Sequence, residues 1–154
     1  MIACLLDNNY PLLSISTILS SLFANGNASI IVPAEQSSLI ATSMYQVFET
    51  SDIPPGYINI LTTKQNELNT TLAQHENVDG IWCFSSNLKT RSDVTRNTIY
   101  NLKRYWCPKI KNLNWISNSE DFLLEFLYQG SQVKNIWIPY GCLLYTSDAA
   151  DEGL

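Results

Sequence analysis

Short apolar runs alternate along the chain with segments whose apolar residues recur every three or four positions. The runs are too short and too rich in β-branched and aromatic residues for helices, so they predict buried strands at residues 2–6, 30–32, 57–61 and 78–84. The segments between them have helical spacing, at residues 11–25, 35–49 and 67–75. Pro11 suits a first helical turn, and Asn25-Gly26 is a C-cap signal. This alternation predicts an α/β fold, a Rossmann-like parallel sheet with helices on both faces.

The later part of the chain is less regular. Residues 100–107 predict an extended segment, and residues 120–128 predict a helix capped by Asn118 or Ser119. The apolar run at 133–138 predicts a last strand, stopped by Pro139.

Glu35 is the first candidate site residue. It follows the predicted strand 30–32 and Pro33, at the start of the next helix. A carboxylate just past a buried parallel strand lies where open α/β sheets bind a nucleotide ribose. The alternative is a charge that only complements the helix dipole, and the two interpretations have about equal weight.

Composition narrows the class of protein. The 154 residues suffice for one domain, and a net charge of -5 argues against nucleic-acid or anionic-membrane surfaces. The apolar runs are too short to span a bilayer. The cysteines Cys4, Cys83, Cys107 and Cys142 lack metal-ligand spacing, and the single His75 completes no zinc site, so we expect no metal. The cysteine pattern is that of reduced thiols, and the first residues lack the basic region of a signal peptide. Both features predict a cytoplasmic protein.

The tail departs from these patterns. Residues 142–152 read CLLYTSDAADE, which resembles a translated sequencing adapter. We therefore expect a domain at 1–141 and a non-native tail at 142–154. An ordinary acidic tail is the alternative.

Four short motifs occur in one order with consistent gaps: NYPLL at 9–13, GN with its strand and PAE at 26–35, IPPGYINI at 53–60, and HENVDGI at 75–81. Together they resemble the nucleotide-binding part of the aldehyde dehydrogenases. That resemblance implies the family's NAD(P)-dependent oxidation of aldehydes to carboxylic acids. Residues 81–86, 101–103 and 133–139 resemble the shortened second domain of family sixteen, whose members carry two such domains in tandem. On this resemblance the chain is a fragment, and its partner is an aldehyde dehydrogenase domain in cis or a second copy.

The resemblance assigns cofactor positions that are only partly preserved. The family lysine that contacts the adenosine ribose is replaced by Val32, whereas its glutamate remains as Glu35. In the phosphate turn the first glycine aligns with Ser85, the serine with Ser86 and the second glycine with Thr90. A Cβ at either glycine position crowds the approach of phosphates, so the NAD(P) binding that the resemblance implies rests on Glu35, Ser85 and Ser86 in a phosphate turn that has lost both glycines.

The resemblance also predicts that catalysis is lost. The general-base glutamate aligns with Asn101, and the Gln129-Gly130 pair is followed by Ser131 rather than the nucleophilic cysteine. Asn9 aligns with the oxyanion-hole asparagine but has no nucleophile to serve.

Other cysteines are poor substitutes for that nucleophile. Cys83 lies in a predicted strand and is expected to be a buried structural thiol. Cys107 is a minor candidate for reactivity, through Lys103 and Arg104 nearby in sequence.

Two functions from different classes follow. The favoured one is a catalytically inactive domain that serves structure and assembly, with an exposed apolar patch around Trp137. The alternative is the NAD-binding portion of an active aldehyde dehydrogenase. An unrelated Rossmann-like module remains only if the motif matches are accidental.

Overall fold

A computed structural model describes residues 1–109, 113–117 and 119–137. Within these described residues, five strands and five helices alternate. In order they are β1 (Ile2–Leu5), α1 (Pro11–Ala24), β2 (Ser29–Val32), α2 (Ser38–Glu49), β3 (Ile58–Ile60), α3 (Gln65–Gln74), β4 (Gly80–Cys83), α4 (Leu88–Thr98), β5 (Arg104–Trp106) and α5 (Glu120–Gly130). Single 3-10 turns precede α2 and follow α4, at Glu35–Ser37 and Ile99–Asn101.

The strands form one parallel sheet in the order β3-β2-β1-β4-β5. β1 lies at its centre and is buried at all four positions, as expected for a strand covered on both faces. One core cluster lies between the sheet and α1, α2 and α5, and a second lies between the sheet and α3 and α4. The predicted Rossmann-like parallel sheet with helices on both faces is therefore confirmed.

Aromatic side chains hold α5 on the sheet. Phe126 is buried, with ring centroids 5.0 Å from Trp106, 5.9 Å from Trp82 and 5.7 Å from Trp115. Most of these pairs are edge-to-face, an arrangement that adds roughly 0.5–1.5 kcal/mol per pair beyond area burial. The cluster therefore fixes the position of the last helix.

Helix boundaries follow local chemistry. Pro11 opens α1, and Gly26 after it has φ +69°, the left-handed conformation of a helix C-terminus. Ser119 caps α5, because its hydroxyl accepts the backbone N–H of Phe122 at 3.4 Å. Asn118, the other predicted cap, lies outside the described residues.

The structure differs from the sequence prediction in two elements. The predicted strand at 133–138 is wrong over 133–137, where the chain is not in a strand, and Ile138 lies outside the described residues. Val133, Ile136 and Trp137 are 74%, 84% and 91% exposed, so no described strand pairs with this apolar run. The predicted extended segment at 100–107 shortens to β5, after the turn at Ile99–Asn101.

We predict that Phe126→Ala lowers the free energy of unfolding by about 3–5 kcal/mol, the usual cost of emptying a buried aromatic site. Leu124→Ala is the matched control on the same helix, because Leu124 is 50% exposed, and it should cost less than about 1 kcal/mol. Urea denaturation followed by tryptophan fluorescence measures both. Equal effects would show that α5 is not held by this cluster.

Candidate functional site

The direction of the chain connections changes at β1. β2 and β3 lie on one side of β1, and β4 and β5 lie on the other. Open α/β sheets bind ligands at such a switch point, outside the carboxyl ends of the strands. Asn9, Glu35, Ser85 and Ser86 all follow carboxyl ends of strands, so the structure places the four predicted residues at this edge.

Asp7 occupies the crevice between β1 and β4. Its Oδ1 accepts the Ser86 hydroxyl at 3.4 Å and the backbone N–H of Asn8 at 2.8 Å. Its Oδ2 accepts the side-chain amide of Asn9 at 3.1 Å. A carboxylate at this point repels a pyrophosphate, and it already holds the Asn9 amide that the resemblance assigns to an oxyanion hole. Sequence reasoning missed Asp7, although its place directly after the first strand was a usable signal.

The phosphate turn is also filled by the protein's own side chains. Ser85 is buried and accepts the backbone N–H of Asn87 at 3.3 Å. Asn87 caps α4 by accepting the Lys89 N–H at 2.9 Å. Thr90 is buried and donates to Asn66 Oδ1 at 3.2 Å, which joins α4 to α3 where the resemblance implies a glycine. These residues do not fit the close backbone approach that a pyrophosphate requires.

The gap between β1 and β2 is bridged on both sides. Gln65, the first residue of α3, donates to the carbonyl oxygens of Leu6 at 2.6 Å and Val32 at 3.2 Å. Asn8 donates to Gln36 Oε1 at 2.6 Å and accepts the hydroxyl of Ser37. The carbonyl oxygens of Leu6 and Val32 are therefore already bonded within the protein.

Glu35 lies in a separate depression of about 340 Å³ beyond β2 and β3. Its carboxylate is exposed, and the lining also includes Thr62, Thr63, Lys64 and Glu67. Val32, which stands in place of the family lysine, is fully buried in the core. Lys64 is the one basic side chain of this lining. The carboxylate of Glu35 therefore remains as an acceptor for a ribose hydroxyl, whereas the lysine that contacts the ribose in the family is missing.

The residues aligned with the general base and with the nucleophile lie at the opposite edge. Asn101 precedes β5 and donates to the carbonyl oxygens of Ala73 and Gln74, each at 3.3 Å. Gly130 accepts the side-chain amide of Asn27 at 2.7 Å, just before β2 begins, and Arg104 donates to the carbonyl of Gln129. A strand of four residues is about 13 Å long, so Asn101 and Ser131 do not face Asn9. Asn101 therefore lies toward the amino edge of the sheet, and its correspondence to the family's general base stays a prediction of the resemblance.

The basic residue that contacts Cys107 differs from the predicted ones. Lys103 donates to the carbonyl of Val78 at 2.6 Å, away from Cys107. Arg91 of α4 instead donates through Nε to Cys107 Sγ at 2.7 Å. Cys83 is buried as predicted, and its thiol pKa is raised by its hydrogen bond to Cys107 and by burial. No sequence spacing pointed to Arg91, because the contact arises from packing α4 over β5.

Cys107 lies too far from Asn9 to act with it. It follows β5, and β5 is two strands from β1, which leads to Asn9. Adjacent strands are about 4.8 Å apart, so the two strands are separated by about 10 Å. An oxyanion donor must lie about 3 Å from the oxygen that it stabilises.

Two further features of the described ranges bear on function. Residues 1–109, 113–117 and 119–137 contain no cluster of three His, Cys, Asp or Glu side chains arranged to hold a metal. Over the same residues, every helix is too short or too polar to cross a bilayer.

Comparison with known proteins agrees with the fold. The family model described as "Aldehyde dehydrogenase family" matches residues 1–107. The chain is 32% identical over 88 residues to a hydroxyisobutyraldehyde dehydrogenase of Mycolicibacterium austroafricanum, which covers 57% of this chain and 17% of that protein. It is 29% identical over 107 residues to the NADP/NAD-dependent aldehyde dehydrogenase PuuC of Escherichia coli, which covers 69% and 21%.

Solved structures give the same result. The aldehyde dehydrogenase KauB of Pseudomonas aeruginosa superposes with a TM-score of 0.64 at 30% identity, over 69% of this chain and 21% of that one. Betaine aldehyde dehydrogenase of Staphylococcus aureus, solved with NAD+, has the same TM-score and coverage at 23% identity, which shows the shared fold. The chain thus spans about a fifth of the length of these relatives. The match over residues 1–107 shows that the chain belongs to the aldehyde dehydrogenase family.

Proposed function

We propose that this chain is an aldehyde dehydrogenase domain at 1–141 that no longer oxidises aldehydes and instead serves assembly. Its partner is a second aldehyde dehydrogenase domain in cis, as in the tandem proteins of family sixteen, or another copy of the chain. The observation that carries the proposal is the filled crevice at the switch point. Asp7, Ser86 and Thr90 bond to the protein where a pyrophosphate would have to approach.

The position of the remaining candidate residues supports the loss of catalysis. Asn9 lies at the carboxyl edge and bonds Asp7, whereas Ser131 and Asn101 lie toward the amino edge. Thiolate attack on an aldehyde requires a cysteine beside the oxyanion donor. The described residues bring no cysteine to Asn9.

An exposed apolar surface supports assembly. Leu12 of α1 and Leu39 and Val47 of α2 line a groove of about 330 Å³ and are 55%, 81% and 62% exposed. We call this surface the α1–α2 groove. α2 carries a single charged residue, Glu49, at its end. Contiguous apolar surface of this kind marks interaction sites in soluble proteins. The exposed Ile136 and Trp137 add a second apolar segment.

The alternative is that this chain supplies the NAD-binding portion of an active enzyme. One observation favours it. The depression beside Glu35 combines an exposed carboxylate with Lys64, a pair suited to ribose hydroxyls and to a nearby phosphate. On this alternative, adenosine binds while the pyrophosphate is held by sequence outside the described residues.

We predict that Asp7→Asn increases the affinity for NAD+ by about fivefold or more. Removal of one negative charge about 4 Å from a phosphate is worth about 1 kcal/mol even at the dielectric constant of water. Calorimetric titration of both proteins measures the change. Asp52→Asn is the control, because Asp52 is exposed in the turn after α2 and should leave the affinity unchanged. An unchanged affinity in Asp7→Asn would show that Asp7 does not obstruct the cofactor.

We predict that Leu39→Glu shifts the chain toward monomer in sedimentation experiments over a range of concentrations. A carboxylate in the α1–α2 groove must be desolvated when the groove is covered. Leu88→Glu is the matched control, because Leu88 is 79% exposed at the start of α4, across the sheet from α2. If the unmodified chain is monomeric at every concentration, assembly with a second copy is contradicted. If both variants dissociate equally, the groove is not the interface.

A further inference from the structure

Two cysteines face each other across β4 and β5. The strands are parallel, and Trp82 of β4 pairs with Trp106 of β5, so the residues that come next along the chain, Cys83 and Cys107, lie side by side. The two tryptophans lie on the α5 side, and both cysteines lie on the other face, with the cluster under α3 and α4. Adjacent strands are about 4.8 Å apart, which is within the Cα separation of about 4.4–6.8 Å that disulfides span.

Arg91 holds one of the two sulfur atoms. Its Nε donates to Cys107 Sγ at 2.7 Å, and one terminal nitrogen donates to the carbonyl oxygens of Cys107 at 3.3 Å and Pro108 at 2.9 Å. Three contacts fix the guanidinium over this residue. A guanidinium beside a sulfur atom favours the thiolate. Cys107 is partly exposed, so a small reagent reaches it, whereas Cys83 is fully buried behind it.

The titration of the pair agrees with this geometry. The Cys83 thiol, the Tyr105 hydroxyl and Arg91 lower the pKa of Cys107 to about 6. Cys83, which donates its hydrogen to that sulfur, has a raised pKa and stays a thiol. Within the part of the chain that the structure describes, these are the titratable groups that contact Cys107, from β4, β5 and α4.

We propose that Cys107 and Cys83 are a peroxide-sensitive dithiol pair that closes to a disulfide between β4 and β5. Cys107 is the attacking thiolate and Cys83 is the resolving thiol. This inference is independent of the proposed function, since neither residue belongs to the nucleotide crevice.

The reaction balances with a hydroperoxide as the oxidant. The Cys107 thiolate attacks one peroxide oxygen and the O–O bond breaks, which leaves a sulfenic acid and, after protonation by water, an alcohol or water. Cys83 then attacks the sulfenic sulfur, and its proton passes to the leaving hydroxide, which departs as water. The two thiols are oxidised by two electrons, and the peroxide is reduced by two.

Hydrogen peroxide treatment of the Cys142→Ser chain tests the proposal, because that variant retains only Cys4, Cys83 and Cys107. The protein is quenched with N-ethylmaleimide and mapped by peptide mass spectrometry. We expect a Cys83–Cys107 linked peptide, two hydrogens lighter than the sum of its parts and reversed by dithiothreitol, with Cys4 unmodified. Cys107 oxidised to sulfinic acid beside a free Cys83 would overturn the pairing.

The pH dependence of iodoacetamide alkylation tests the attacking residue without any loss of fold. A depressed pKa keeps the thiolate populated down to that pKa, so the rate at Cys107 should rise with pH through a midpoint near pH 6 and then level off. Arg91→Met should move this midpoint upward by roughly one unit or more. Arg96→Met, an exposed arginine on the same helix, should leave it in place. A midpoint near the ordinary cysteine value in the unmodified chain would overturn the assignment of Cys107.

A further variant separates the roles of the attacking and the resolving cysteine. Cys83→Ala removes the resolving thiol, so peroxide should leave a sulfenic acid at Cys107 that dimedone traps. Trapping at Cys107 in Cys83→Ala, but not in the chain with both cysteines, supports the sequence of steps. Equal trapping in both would contradict a resolving role for Cys83.

Discussion

The central strand β1 constrains every other part of this domain. It bonds to β2 on one side and β4 on the other, and all four of its residues are buried. The chain leaves β1 toward β2 and returns on the other side of β1 as β4. The loop after β1 and the loop after β4 therefore meet at one point. That point is the switch crevice, and Asp7 and Ser86 bond across it. The fold brings candidate residues together there whatever their chemistry.

The side chains in the switch crevice disfavour the pyrophosphate binding that the fold would allow. A pyrophosphate needs unhindered backbone N–H groups and positive potential. Here Asp7 supplies negative charge, and the hydroxyl of Thr90 fastens α4 to α3 through Asn66. Among the described residues, the depression around Glu35 and Lys64 holds groups that suit the ribose end of a nucleotide. On the proposed function, the domain keeps the architecture of a cofactor-binding fold but has lost the phosphate part of the site.

The sequence correctly predicted those elements in which the pattern of apolar residues along the chain matches the positions that are buried in the structure. The apolar runs gave the strands β1 to β4, and Pro11 and Ser119 marked where helices begin. α4 lacked apolar periodicity because its buried positions include the threonines Thr90 and Thr98. The edge on which Asn101 lies and the contact of Arg91 with Cys107 depend on how distant elements pack, which spacing does not encode. At residues 133–137 an apolar run predicted a strand, but the side chains are exposed and no described strand pairs with this segment.

The most direct test of this account is calorimetric titration of the unmodified chain with NAD+ and, separately, with adenosine and with ADP-ribose. A site that keeps only its ribose end should bind adenosine at least as well as NAD+ and ADP-ribose, because the added phosphates meet Asp7. Binding of NAD+ tenfold or more tighter than adenosine would show that the pyrophosphate is accommodated, and it would contradict the central claim that this family fold has lost its phosphate site.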